Sequence, residues 1–497
     1  MTGAGPGRTG GPARPGRPGR RDRNTRPNRG GGGAPPPRRS TPAGPPPSDP
    51  ARAAALELLT SVRDRDAYAN LAMPAILRRA RLTGRDAAFA TELGYGTCRA
   101  RGLLDAIIGA CAERPLSKIE PLLLDTLRLG AYQLLRTRVP VHAAVDSTVE
   151  MVRARAGSRS AGFVNAILRR ISESTEDEWV TKLAPDVATD PVGHLAFRYA
   201  HPLWIARAFA DALGPASAAE LEPLLRADDG RPIVHLLARP GVITAEELAL
   251  GTGGEPAPYS PYGVHLEPGS GDPGDLDAIA EGLALVMDEG SQLVAAGLAA
   301  AELDGPDGGR WLDLCAGPGG KAALLGGLVD HIGGRLDAVE VSEHRAELVR
   351  SITKDLPVTV HLADGRAAPL PDGEYDRVLV DVPCTGLGAL RRRPEARWRR
   401  EPSDVAELTV LQRELLTAAL RHVRVGGVVG YATCSPHLAE TVGVLTGILR
   451  KHPTVQRLDT REAFPDVPGL GDGPSVQLWP HRHGTDAMFL ALLRRTA

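Results

Sequence analysis

The chain has 497 residues, enough for roughly two to four domains, and its formal net charge of −1 is unevenly placed. No apolar run reaches the about eighteen residues of a membrane-spanning helix, and the N-terminus lacks the hydrophobic segment of a secretion signal, so the protein is expected in the cytoplasm, as a monomer by default. Its five cysteines, an odd number in a long chain without a signal, do not read as a disulfide framework, and no Cys-x-x-Cys or His cluster has zinc spacing, so no metal is expected.

Residues 1–49 are Gly, Pro and Arg with almost no large apolar side chain. Ten arginines face only Asp22 and Asp49, a net charge of about +8. A segment of this composition cannot bury enough surface to offset its chain entropy and is expected to be disordered. It reads either as a solvated tail or as an arm that attracts phosphate and speeds encounter with RNA without reading sequence.

From Pro50 to Ser172 the pattern turns helical. Ala54, Ala55, Leu58, Leu59 and Val62 lie on a 3.6-residue stripe, as do Leu122, Leu123, Leu127, Leu129, Leu134 and Leu135. Pro140 stops that helix, His142-Ala143-Ala144-Val145 opens the next, and Phe163, Ile167 and Leu168 give a further apolar face. The spacing predicts an all-α bundle over 50–172 with the leucine stripes as its core. A basic end at Arg136, Arg138, Arg169 and Arg170 is a candidate RNA contact, against the plainer reading of a solvated face. Glu92-Leu93-Gly94-Tyr95-Gly96, Leu129-Gly130-Ala131-Tyr132-Gln133-Leu134-Leu135, Val141-His142-Ala143-Ala144-Val145 and Phe163-Val164-Asn165-Ala166-Ile167-Leu168-Arg169 resemble the NusB-like RNA-binding domain. That resemblance implies contact with RNA, which the helix pattern alone does not.

Residues 173–287 are predicted to form a small α+β module. His201-Pro202-Leu203-Trp204 begins a helix, Arg231 to Leu237 reads as a strand followed by a helix from Thr244, and the Gly/Pro-rich run from Gly251 to Gly274 reads as loop. Met287 to Gln292 then leads into a helix from Leu293 to Ala301.

Over 288–497, strand and helix alternate. Strands are predicted at Trp311–Cys315, Arg335–Glu340, Val358–Leu362, Arg377–Asp381 and Val428–Thr433, with a late pair near Val476–Leu478 and Ala487–Leu492. Alternation of this kind predicts a mostly parallel sheet of about seven strands with helices on both faces. The first strand breaks into Cys315-Ala316-Gly317-Pro318-Gly319-Gly320-Lys321 and resumes as a helix, the opening of a doubly wound nucleotide-binding unit. Twenty residues after Gly320 stands Glu340, the spacing at which such folds bind the hydroxyls of a ribose. The carboxyl ends of the later strands carry Asp364, Asp381, Cys384 and Cys434. A single cysteine is usually a small buried hydrophobe; two at strand ends beside a nucleotide fold point instead to thiol chemistry on one substrate atom. Between the fourth and fifth strands, six arginines surround Trp398 over residues 390–400, a predicted RNA-facing loop in which Arg binds phosphate and Trp stacks on an unpaired base.

Asp313-Leu314-Cys315-Ala316-Gly317-Pro318-Gly319-Gly320-Lys321, Asp381-Val382-Pro383-Cys384 and Ala432-Thr433-Cys434-Ser435 resemble the motifs of the S-adenosylmethionine-dependent RNA cytosine-C5 methyltransferases. Joined to a NusB-like domain, their order resembles the bacterial small-subunit rRNA methyltransferase B family. Three features depart from that family: Glu340 where Asp is more frequent, Gly317 where Ala is usual, and the N-terminal tail. The resemblance implies an all-α NusB-like bundle, a small α+β module and an α/β Rossmann-like class I methyltransferase domain. It implies methylation of a 16S rRNA cytosine, of the cytosine-967 type, with S-adenosyl-L-methionine held by Cys315, Ala316, Gly317, Pro318, Gly319, Gly320, Lys321, Glu340, Asp364 and Asp381. Cys434 is the implied nucleophile, Cys384 its partner, Asp381 the group at the N3 edge of the base and Lys321 a cation favouring the thiolate. The chemistry suits these residues: a thiolate added to C6 makes C5 enamine-like and able to take a methyl group. Three other readings stay open: another RNA such as tRNA as substrate, a DNA cytosine methyltransferase acting through Cys384, and a non-catalytic RNA-binding factor.

Overall fold

The computed structural model describes residues 49–497. The predicted tail lies outside the described residues except for Asp49, which is the N-cap of the first helix rather than tail: its carboxylate accepts from Arg52 N at 2.9 Å. Five helices follow: α1 (Pro50–Asp64), α2 (Ala69–Ala80), α3 (Gly84–Cys111), α4 (Pro121–Arg136) and α5 (Val141–Ile171). α5 loses helical dihedrals at Gly157 and is two helices joined by a kink. The leucine stripes do what their period predicts. Leu127, Leu129 and Leu168 are fully buried with Leu93, Leu104 and Val164 in one core, each worth about 1.5–3 kcal/mol of burial.

The stretch expected as one α+β module is built on two separate cores. The first half is helical only: α6 (Glu176–Leu183), α7 (Pro191–Arg198), α8 (Leu203–Leu213) and α9 (Ser217–Asp229). A capping box between Thr175 and Glu178 starts α6, and Asp190 caps α7. Ile205, Phe209 and Leu224 pack not on the second half but on Leu387, Leu390 and Trp479 of the C-terminal domain. The second half is β1 (His235–Ala238), α10 (Ala245–Thr252), β2 (Glu255–Pro256), β3 (Gly263–His265), α11 (Asp277–Ala280) and β4 (Ala284–Val286), an antiparallel sheet in the order β2-β3-β1-β4. The run Gly251–Gly274 is therefore not all loop. β2 and β3 are too short for alternation to be legible, and the register of Leu236 on buried Val264 fixes them.

The C-terminal domain runs α12 (Glu289–Ala300), β5 (Arg310–Asp313), α13 (Gly320–Asp330), β6 (Arg335–Glu340), α14 (Glu343–Ile352), β7 (Val358–Leu362), β8 (Tyr375–Asp381), α15 (Pro402–His422), β9 (Val423–Thr433), α16 (Val442–Lys451), β10 (Val455–Arg457), β11 (Val476–Gln477), α17 (Pro480–His483) and β12 (Phe489–Arg495). α12 starts at Glu289 rather than Leu293 because the Asp288 carboxylate caps it, accepting from Gly290 N at 2.9 Å. The sheet order is β10-β12-β9-β8-β5-β6-β7, with β11 paired to β12. It has eight strands, one more than predicted; β10 is three residues long. β7, β6, β5, β8 and β9 are parallel, and β12 is antiparallel to both its neighbours β9 and β10. The chain leaves β5 toward β6 on one side and later returns to β8 on the other, so the cleft of the sheet opens at the carboxyl end of β5. Among the described residues, no helix is long and apolar enough to cross a membrane.

Candidate active site

β5 delivers Asp313 to that cleft, 1% exposed. Its Oδ1 accepts from Cys315 N at 3.3 Å, and its Oδ2 has no partner. Burial first, and the neighbouring Asp381 second, push its carboxyl up to about 7. The folded state therefore holds this proton to about pH 7, whereas the unfolded chain releases it near about pH 4. Between those values the folded state binds the extra proton, so stability falls as pH rises. Asp313→Asn keeps the acceptor for Cys315 N. It is expected to raise the melting temperature of ligand-free protein more at pH 8 than at pH 5; an equal shift at both would show that Asp313 ionises without penalty.

β6 ends in Glu340, whose carboxylate folds back on the glycine turn. Oε1 accepts from Ser342 N at 2.8 Å, and Oε2 accepts from Gly317 N at 3.1 Å and from Arg345. A Cβ added to Gly317 would overlap Glu340 Oε2 and crowd Arg345. The longer carboxylate at 340 and the missing methyl at 317 are thus one steric arrangement: each allows the other. α13 places Lys321 so that its Nζ lies 2.7 Å from Asp381 Oδ2, at the end of β8, and donates to Ser291 Oγ of α12 at 3.3 Å. Burial alone would lower Lys321; the Asp381 carboxylate outweighs it and holds the ammonium form.

The parallel pairing of β8 and β9, with Asp381 opposite Ala432, brings the two following loops together. Cys384 Sγ and Cys434 Sγ are 3.4 Å apart, both half-buried. Either sulfur can donate in this contact by geometry; the contact first, with Arg393 and Lys321 assisting against burial and Asp381, lowers the Cys434 thiol, which makes Cys384 the favoured donor. The same contact, followed by burial, holds Cys384 protonated well above its ordinary range. The largest stabiliser of the Cys434 thiolate is therefore its sulfur neighbour, not Lys321, whose charge is engaged by Asp381. Cys315 is pushed well up by burial and stays a thiol.

Two groups of predicted contacts have their side chains engaged within the protein. The Asp364 carboxylate caps its own turn, accepting from Arg366 N at 2.9 Å, and pairs with the Arg366 guanidinium on the surface. It is not brought to Lys321, Asp381 or Glu340 by any hydrogen bond among the described residues. The arginine loop before α15 is not an RNA-facing surface. Arg391 and Arg392 share Asp486 and Asp288, with Arg392 2.7 Å from Asp288. Burial works against the Asp288 charge, but Arg392, His235 and Arg391 outweigh it and hold the carboxyl well below the usual range. Arg397 is 0% exposed and donates to the carbonyls of Ala200 at 3.1 Å and Asp228 at 3.0 Å. Trp398 packs on the bare backbone of Gly102 in α3, where any Cβ would strike its ring, and donates to Cys98 O at 3.0 Å. Arg399 donates to Val62 O and Ala67 O, and Arg400 donates to Thr385 O at 3.1 Å. Only Arg393 is exposed, over the Tyr68 ring of the bundle. The loop reads as charge in sequence because its acceptors, the carboxylates of Asp288 and Asp486 and several backbone carbonyls, lie far away in the chain. At the basic end of the bundle, Arg136 is likewise committed, to Glu176 and Asp229, both at 2.8 Å, while Arg138, Arg169 and Arg170 are exposed.

Sequence reasoning missed Ser291 and the residues that frame the thiols: Thr385, Gln412, Ser435 and Glu440. The Glu440 carboxylate accepts from Thr385 N at 2.8 Å, Gln412 Nε2 at 3.0 Å, Ser435 Oγ at 2.6 Å and the Thr385 hydroxyl. The spacing from Ser435 to Glu440 is visible in the chain but acquires meaning only when β8 and β9 lie side by side.

Residues 300–494 match the family described as 16S rRNA methyltransferase RsmB/F, and residues 49–173 match the NusB family. The "Putative methyltransferase Rv1407" of Mycobacterium tuberculosis (strain H37Rv) is 63% identical over 90% of this chain and 97% of its own length. The "Ribosomal RNA small subunit methyltransferase B" of Serratia proteamaculans is 30% identical over 89% of this chain and 98% of its own. The crystal structure of PH0851 has a TM-score of 0.74 at 23% identity and covers 90% of this chain and 99% of that one, a likeness of fold.

Proposed function

The chain belongs to the 16S rRNA methyltransferase RsmB/F family with a NusB-family domain ahead of it, and on that premise we propose that it methylates C5 of a small-subunit rRNA cytosine through a covalent adduct on Cys434. The observation that carries this reading is the pair of sulfurs 3.4 Å apart at adjacent strand ends, one biased toward thiolate and the other toward thiol.

S-adenosylmethionine, when bound, supplies the electrophilic methyl group that an enamine-like C5 accepts. The residues around the glycine turn fit such a donor. Gly317 to Lys321 offer backbone and a helix start at the switch point, and the Oδ2 of buried Asp313 is a polar atom left without a partner of its own. Glu340 has both oxygens engaged, so a ribose reached from this position displaces Arg345, its partly exposed partner. Glu340→Ala is expected to weaken S-adenosylmethionine about tenfold or more, since a hydrogen bond to a charged group is worth about 1.5–3 kcal/mol. Unchanged affinity by calorimetry would remove Glu340 from the site.

On the substrate side, the Cys434 thiolate adds to C6 and the displaced π pair makes C5 nucleophilic. After methylation the C5 proton leaves, the C6–S bond breaks and the C5–C6 double bond returns. Cys384, protonated at rest, must give up that proton before it can accept one from C5, so it suits a relay better than a resting base. Asp381, held by Lys321, lies at the end of β8 as the group for the N3 edge. The target base must leave its stack to reach this cleft.

Bisulfite mapping of small-subunit rRNA from cells with and without the gene tests the reading: one protected cytosine is expected to vanish with the gene. Loss of protection in tRNA or DNA instead, with small-subunit rRNA unchanged, would move the substrate to that nucleic acid.

A further inference from the structure

The carboxylate of Glu440 is 0% exposed and has no ion pair among the described residues. A buried carboxylate is costly unless hydrogen bonds replace its water. Here four donors do so, and they come from two different loops and a helix. Thr385, which immediately follows Cys384, gives its N–H and its hydroxyl; Ser435, which immediately follows Cys434, gives its hydroxyl; Gln412 of α15 gives one amide hydrogen. The two hydroxyls are themselves 3.1 Å apart, Gln412 also donates to Pro383 O at 3.0 Å, and the Tyr431 hydroxyl fixes the Glu440 carbonyl at 2.6 Å. Four donors aimed at two oxygens require an acceptor at every lone pair, which an ionised carboxylate provides and a protonated one does not.

We propose that Glu440 is the positioning residue of the thiol pair, tying the loop after β8 to the loop after β9 so that the Cys384 S–H points at the Cys434 sulfur. The proposal rests on the covalent reading above. Without the tie, the loops keep the backbone bonds from Val382 N to Ala432 O and from Gly388 N to Cys434 O, which flank the thiols, and the single contact between the Thr385 and Ser435 hydroxyls. The negative charge also faces Cys384 and opposes its ionisation, so one group sets both the distance and the direction of the S–H···S contact.

Length and charge can be separated. Glu440→Asp keeps the charge but is one methylene short of both loops; Glu440→Gln keeps the reach and loses the charge. Single-turnover transfer of radiolabelled methyl from S-adenosylmethionine to a small-subunit rRNA transcript is expected to fall about 100-fold in Glu440→Asp, the cost of a misplacement near 1 Å, and about tenfold in Glu440→Gln. Binding of the transcript and of S-adenosylmethionine should stay near wild type in both. The pH profile of iodoacetamide alkylation at Cys434 should move to higher pH, because the Cys384 hydrogen bond no longer favours the thiolate. A residue serving only overall stability would lower the melting temperature without moving that profile. Ser435→Ala, which removes one donor, should give a smaller loss with the same sign, and carries the test if Glu440→Asp does not fold. Transfer and alkylation profiles matching wild type in Glu440→Asp, or in Ser435→Ala where that variant alone folds, would overturn the proposal. Cys434→Ala run alongside separates the two ideas: methyl transfer by that variant would remove the covalent reading itself.

Discussion

Cys434→Ala is expected to bind RNA and S-adenosylmethionine, form no covalent species and lose methyl transfer by on the order of 10⁴-fold or more, the scale seen when a nucleophile is removed. Cys384→Ala should fail differently. Its Cys434 can still attack and C5 can still be methylated, but the adduct resolves slowly, so the protein should run on a denaturing gel as a retarded, RNase-sensitive band. Cys434 also loses its S–H donor in this variant, so the rate of attack should fall even as the adduct accumulates. The double variant should lose the band. An adduct in Cys434→Ala and none in Cys384→Ala would exchange the roles and favour the DNA-enzyme mechanism. No adduct in either, with methylation intact, would make both cysteines packing residues.

Arg397→Met is expected to cost about 3–5 kcal/mol of stability. Methionine approximates the volume but leaves the carbonyls of Ala200 and Asp228 without their donor, each loss worth about 1–3 kcal/mol when buried. It also removes the cation facing Asp228, a carboxyl already raised to about 6 by burial against the pull of Arg397. Chemical denaturation should show the helical segment α6–α9 releasing from the C-terminal domain, and limited proteolysis should cut near residues 390–400. A denaturation midpoint unchanged from wild type would mean that this guanidinium is not a clamp.

What the sequence disclosed and what it withheld have different physical causes. The ends of β6 and β7 coincide with the expected ones because their apolar runs are bounded by glycine or polar turns. The sulfur pair follows from topology: parallel neighbours put Pro-Cys and Thr-Cys at one edge, and the alternation of strand and helix is enough to place them there. The arginine loop misled because charge was read without its acceptors. Beyond Asp288 and Asp486, its partners are main-chain carbonyls of residues such as Ala200 and Val62, and a carbonyl leaves no mark in the one-letter code. At Asp364 the partner is local: two residues on, Arg366 supplies both a backbone and a side-chain donor to its carboxylate. Glu440 was invisible because an isolated glutamate before a helix usually faces water, and only the closeness of two loops makes this one a tether.

The packing of the 390–400 loop gives the chain a temporal order. Trp398 closes on Cys98 across 300 residues and Arg399 on Val62 across 337, so each socket leaves the ribosome long before its plug. The helical bundle can fold while the catalytic half is still being translated, and it then waits as a preformed mould. Arg400, at the end of the same loop, holds the carbonyl of Thr385, next to Cys384. The loop that plugs the bundle is thus chained to the residue after Cys384, so the docking of the two halves bears directly on where one thiol of the pair sits.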